Sequence, residues 1–148
     1  MEIKFKEKPS VTKLIKETGF KKEFSSKNPY ADFVGYLINC SKVARVLAIK
    51  TKIYANHKAL GHYCEQIWEP IYCISKQLTM EYGDLQGFGN YTISEYENME
   101  PSAYFESAKT YIEGIRDGLL KDADHTVTSE INKILKITNN TLYHLKMS

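Results

Sequence analysis

Apolar residues recur at three- and four-residue intervals through most of the chain, the repeat of a helix with one buried face. From Asn28 onward, Phe33, Leu37, Cys40, Ala44 and Leu47 form one edge, and Val34 and Ile38 form a second. Asn28-Pro29 reads as an N-cap followed by proline at the first helical position, so a helix is predicted from there to about Tyr54. The next stripe is Leu60, Cys64, Ile67, Ile71, Ile74 and Leu78. It predicts a helix that begins near His57. Pro70 falls inside this stripe, which keeps its phase on both sides. A kink, rather than an end, is therefore expected where the proline removes one hydrogen bond and its ring meets the carbonyl four residues back.

Between Gly83 and Pro101 the pattern stops. Gly83, Gly87, Gly89 and Asn90 punctuate a long link, and Thr92-Ile93-Ser94-Glu95 has the form of a capping box, which predicts one helical turn within it. A third helix follows Pro101, with Phe105, Ala108, Ile112, Ile115 and Leu119 on one face. Gly114 and Gly118, four apart, mark a place for close backbone approach. A fourth helix opens at Asp124 and carries Val127, Ile131, Ile134, Thr138, Leu142 and Leu145. Ser10 to Gly19 reads as a short helix with Val11, Leu14 and Ile15 as its edge. No strand pair and no internal repeat is visible. The chain is thus predicted to be all-α, with four helices of roughly 20–25 residues, or ~30–37 Å each. Its loops run short, long, short. That order predicts a ferritin-like antiparallel four-helix bundle with a long crossover between helices two and three, plus a short N-terminal helix.

A length of 148 residues suits one domain. No apolar run reaches ~18 residues, so no membrane span is expected. Met1 to Lys8 alternates charge with apolar residues and lacks the apolar core of a secretory signal. The net charge of +2 is too small to make nucleic acid the default partner. Charge is uneven, however. Residues 1–28 carry eight Lys and four Glu, against twelve basic and fourteen acidic residues in 29–148. The division expected is a basic arm, 1–28, ahead of a bundle domain, 29–148. Lys4, Lys6, Lys8, Lys21 and Lys22 are the arm residues expected to meet a partner. The interleaved glutamates weaken attraction to phosphates, which favours a protein partner over nucleic acid. Three cysteines without CxxC spacing fit neither a disulfide scaffold nor a zinc site, and read as small buried hydrophobes. Of eleven tyrosines, Tyr72, Tyr82, Tyr91, Tyr96, Tyr104 and Tyr111 fall in or around the long link. An apolar ring with a polar tip suits a subunit interface, so a homo-oligomer is expected, with core packing as the other reading.

The run Thr51-Lys52-Ile53-Tyr54-Ala55-Asn56-His57-Lys58-Ala59-Leu60-Gly61, followed by Tyr63, resembles the join between helices one and two of small phage-encoded ferritin-like proteins, distant relatives of DNA-protecting mini-ferritins. Glu130-Ile131 through Asn140-Thr141-Leu142-Tyr143-His144-Leu145-Lys146 is similar to that family's last helix. The resemblance implies a bundle able to hold a carboxylate- and histidine-bound metal centre. His57, Glu65 and Glu130 stand at matching ligand positions. The rest departs from the pattern: Arg45 and Ala48 replace histidines, Tyr72 and Lys76 replace acids, and Ser129 replaces the acid before Glu130. No Glu-x-x-His occurs. His57 is then expected to act as a cap or turn residue, and Glu130 to pair with Arg45 or Lys76, without a metal site and without catalytic residues.

The function expected is that of a non-catalytic bundle protein, a phage structural or accessory component located in the infected bacterial cytoplasm or the virion. It would act through other protein subunits and need no cofactor. Two rivals follow from the same resemblance. One is a mini-ferritin-like ferroxidase using iron at His57, Glu65 and Glu130. The other is a phage counter-defence protein that binds a host protein or a small nucleotide. His62, Glu65 and Glu69 share a helical face and read as solvated polar surface.

Overall fold

Asn28 starts the first helix as its sequence predicts. Its Oδ1 accepts from the backbone N–H groups of Tyr30 and Ala31, both at 3.1 Å, and Pro29 occupies the first turn. The computed structural model describes residues 28–89, 91 and 95–147. The basic arm, the Ser10–Gly19 helix and most of the capping box at 92–95 lie outside the described residues. Within them are five helices and no strand: α1 (Pro29–Lys50), α2 (Tyr54–Gln66), α3 (Trp68–Tyr82), α4 (Pro101–Asp117) and α5 (His125–Lys146). No helix among the described residues is long and apolar enough to cross a membrane.

The join between α1 and α2 is tighter than the hydrophobic pattern suggests. α1 stops at Lys50, not at Tyr54, because Thr51 turns to an extended conformation. Its hydroxyl accepts from Ile53 N–H at 3.2 Å, and α2 restarts at Tyr54 rather than near His57. Pro70 produces the expected kink. It carries no N–H for the Gln66 carbonyl, and the chain bends at Ile67, whose dihedrals stay helical (φ −76°, ψ −25°). α2 and α3 therefore form one bent rod with a continuous buried stripe. α3 ends at Gly83, whose φ of 90° is a conformation that glycine adopts without strain.

Side-chain contacts give the direction of each rod. His57 meets Ala48 at one end of the α1/α2–α3 pair, and Tyr30 stacks on Tyr82 at the other, with centroids 4.0 Å apart. Lys146 pairs with Glu106 at one end of α4/α5, and Arg116 donates to Asn132 at 3.1 Å near the other. Glu81 accepts from the backbone N–H of Asp124 at 2.9 Å, tying the end of α3 to the start of α5. Asp124 also caps α5, accepting from Thr126 N–H at 2.8 Å. The link from Gly83 to Glu100 leaves α3 beside Asn28, whose Nδ2 donates to the Asp84 carbonyl at 3.3 Å. It then passes Gly35 and Tyr36, and reaches Lys50, which donates to Asn98 at 3.1 Å. Described residues of the link thus touch α1 at its N-cap, at Gly35 and Tyr36, and at Lys50. A turn occupies residues 95–98, with Met99 N–H donating to the Tyr96 carbonyl at 3.0 Å.

This covering explains why α1 is buried almost all round, with Asp32, Asn39 and Ser41 enclosed as well as its apolar edge. It also explains Gly35. A Cβ there would run into the Phe88 carbonyl, so the link rests directly on the α1 backbone. Gly118 closes α4. The stripes predicted on α4 and α5 are buried throughout.

Candidate functional site

The three positions that match a ferritin-like ligand set do not converge. His57 and Glu65 sit on one helix, α2, two turns apart. The His57 Nδ1 lies 2.8 Å from the Ala48 carbonyl and its backbone N–H donates to Ile53, which makes it a clasp across the α1–α2 turn. Glu65 is exposed, 3.9 Å from the His62 ring. Glu130 is buried on α5 and accepts from Lys133 at 2.8 Å. Its partner is therefore neither Arg45 nor Lys76, as the sequence reading expects, but the lysine one turn along its own helix. That arrangement brings no distant charge into the interior, and the carboxylate in turn raises the Lys133 ammonium above its ordinary range. Lys133 is near enough to feel Glu69 and Cys73, whereas α2 near His57 lies level with His144 and Met147. Along α5 the two levels are separated by about 20 Å at 1.5 Å per residue. Among the described residues no group of three or more His, Cys, Asp or Glu stands together in a way that could hold a metal ion. The arm residues Lys4, Lys6, Lys8, Lys21 and Lys22 lie outside the described residues.

Aromatic rings fill the interior. Tyr36 lies 4.1 Å from Tyr111 between ring centroids, Tyr63 4.8 Å from Phe105, and Tyr104 5.3 Å from Phe105. They surround Cys40, whose sulfur accepts from the Tyr104 hydroxyl at 3.4 Å. The Tyr63 hydroxyl stands by Cys40 and Thr138 without a well-formed hydrogen bond. Burial pushes the phenols of Tyr36, Tyr63, Tyr104 and Tyr111 far above their ordinary range, so they stay neutral. A neutral phenol is a poor ligand for a hard cation and a poor base; what these groups supply is packing area. The expectation that the link tyrosines face a partner therefore needs correcting. Tyr82, Tyr104 and Tyr111 are buried, and Tyr91 and Tyr96 are half-buried against the same core. Of the six, Tyr72 faces solvent. Arg45 and Lys76 are exposed too, so neither brings a cation into the interior.

Large apolar side chains are exposed at Ile49, Ile53 and Tyr54, at Tyr143 and Met147, and along the far side of α3. Trp68, Tyr72, Lys76 and Met80 recur every four residues and are all exposed, Tyr72 at 63% and Met80 at 68%. The opposite side, Ile71, Ile74 and Leu78, is in the core. At the Met80 end the ridge borders a groove of about 680 Å³, whose walls include Ser75, Thr79, Met80, Leu85 and Phe88. A second depression of about 440 Å³ separates α2 from the end of α5, between Ala59, His62, His144 and Met147. The ridge goes unnoticed when only the stronger stripe is read. Its signal is nevertheless present as a second, four-spaced set of large side chains on one helix.

A family of unknown function, DUF5856, matches residues 49–145, from the end of α1 through nearly all of α5, and the chain belongs to that family. No curated protein and no solved structure matches it.

Proposed function

We propose that this member of the DUF5856 family is a non-catalytic, ferritin-like helical-bundle protein that works through protein–protein contacts, as a structural or accessory component of a phage. The observation that carries this reading is the outer ridge of α3. Trp68, Tyr72 and Met80 expose large apolar surface on a helix whose other face is already buried. Large apolar side chains exposed in a row on one helix face are a feature of interaction sites. The link along α1 supports a ferritin-like crossover: it leaves α3 at Asn28 and reaches α4 past Lys50, so the second and third rods run the same way. The phage setting is drawn from the resemblance of residues 51–63 and 130–146 to phage-encoded ferritin-like proteins.

Addition of ferrous iron to the full chain, followed with an oxygen electrode, tests this reading. The expected trace is that of buffer alone. Stoichiometric oxygen uptake that disappears in His57→Ala and Glu130→Ala would establish the ferroxidase reading in its place.

A further inference from the structure

We infer that the α3 ridge is covered by a second copy of this chain, in a two-fold pair that seats each Trp68 in the groove of the other copy. This rests on the protein-contact reading and names its first partner. The ridge is self-complementary. Its members, residues 68, 72, 76 and 80, are symmetric about position 74, so two antiparallel copies of α3 crossing there set residue 68 of each against residue 80 of the other, and 72 against 76. Trp68 then meets the Met80 thioether, a favourable sulfur–aromatic contact. Tyr72 meets the Lys76 ammonium, which already lies 5.3 Å from the Tyr72 ring of its own chain. Every ridge residue gains a chemically matched neighbour, which a closed two-fold contact between identical surfaces requires.

Shape agrees with chemistry. Side chains spaced by four form a row inclined by about 26° to the helix axis, and two such rows lie parallel, so that paired members can face one another, when helices cross at about 50°. The groove of about 680 Å³ runs beside α3 from Ser75 to Met80, which is the residue that the other copy's Trp68 reaches, and Phe88 and Leu85 offer apolar walls among the polar Asp84 and Gln86. An aromatic anchor in a pocket is the usual centre of binding energy at an interface, and symmetry supplies it twice. Trp68 is 44% exposed and is the one tryptophan of the chain.

Sedimentation equilibrium on the full chain, with Trp68 emission read across the same concentrations, tests the pair. The expected result is a dimer whose emission shifts to the blue as it forms. Each lost anchor is worth at least ~30-fold, so Trp68→Glu is expected to weaken the dimer by about 1,000-fold. Met80→Lys alone weakens it as well. Trp68→Glu combined with Met80→Lys restores at least tenfold of that loss, because each new carboxylate faces a new ammonium across the axis. Within one chain positions 68 and 80 are about 18 Å apart along the helix and cannot rescue one another. Far-UV circular dichroism checks that the variants stay helical. If Trp68→Glu does not, Tyr72→Glu, at a more exposed position, takes its place. A monomer at all concentrations overturns the inference, as does a dimer indifferent to these changes or a double variant without rescue. A blue-shifted emission that ignores concentration also overturns it, since something other than a second copy would then cover Trp68. None of these outcomes bears on the oxygen-uptake test, so the two readings fail separately.

Discussion

Replacing Gly35 with alanine tests the closest contact in the fold. The new methyl group would fall well inside contact distance of the Phe88 carbonyl oxygen, 3.0 Å from its carbon and 3.3 Å from the Phe88 Cβ. Two of these three are backbone atoms, which cannot swing away as a side-chain tip can. Either α1 or the link must move by roughly 1 Å to restore normal separation. Alanine gains about 1 kcal/mol of helix propensity over glycine, and that gain opposes the clash. Against it stands overpacking of about 1–3 kcal/mol. Moving the link also strains the bond from the Tyr91 hydroxyl to the Asp32 carbonyl, 3.3 Å long, worth about 1 kcal/mol. The edge contact between Tyr36 and Tyr91, 6.1 Å between centroids, adds about 0.5–1 kcal/mol. The net expectation is a loss of about 2 kcal/mol, or a fall of about 4–8 °C in Tm for a chain of this size. Urea and thermal unfolding followed at 222 nm measure it. Hydrogen exchange should show the loss of protection concentrated in the α1 amides around Gly35. A Gly35→Ala variant as stable as the parent, with those amides still protected, would mean that the link does not rest on α1 at Phe88.

Asn28→Ala removes the cap of α1 and its bond to Asp84, and is expected to cost about 1–2 kcal/mol in urea unfolding, with Asn28→Asp recovering the cap but not the link contact. Tyr63→Phe should be neutral or stabilising by up to about 1 kcal/mol, since it deletes a buried hydroxyl without a good partner, whereas Tyr104→Phe should cost about 0.5–1 kcal/mol by removing the donor to Cys40; opposite signs in thermal melts are the check. Lys146 holds the Glu106 carboxyl below its usual range, so this pair's contribution is present at neutral pH and disappears as the pH falls through that lowered value. Glu106→Gln should therefore be less stable than the parent near pH 7 and equal to it at strongly acidic pH, as read from urea midpoints.

Local physics was legible in the chain itself. A side-chain oxygen placed before Pro29, or an aspartate placed before Thr126, caps a helix whatever surrounds it, and the three- and four-residue repeat of apolar positions marks a buried face without reference to a partner. The four rods of the described residues, the kink at Pro70 and the core stripes of α4 and α5 follow from these alone. Distance along the chain says nothing, in contrast, about which surfaces meet. Whether Tyr104 and Tyr111 seal the interior or face outward depends on how far α1 and α4 stand apart. That Gly35 receives another backbone depends on the route of the link. Glu130 turned to Lys133 instead of Arg45 because Arg45 lies on the outside of α1, and the same packing turned Tyr72 and Lys76 to solvent with Trp68 and Met80. A helix has several faces and its sequence names the most apolar one. Only the arrangement of its neighbours decides which of the remaining faces stays uncovered, and it is on such a face that this protein's contacts are proposed.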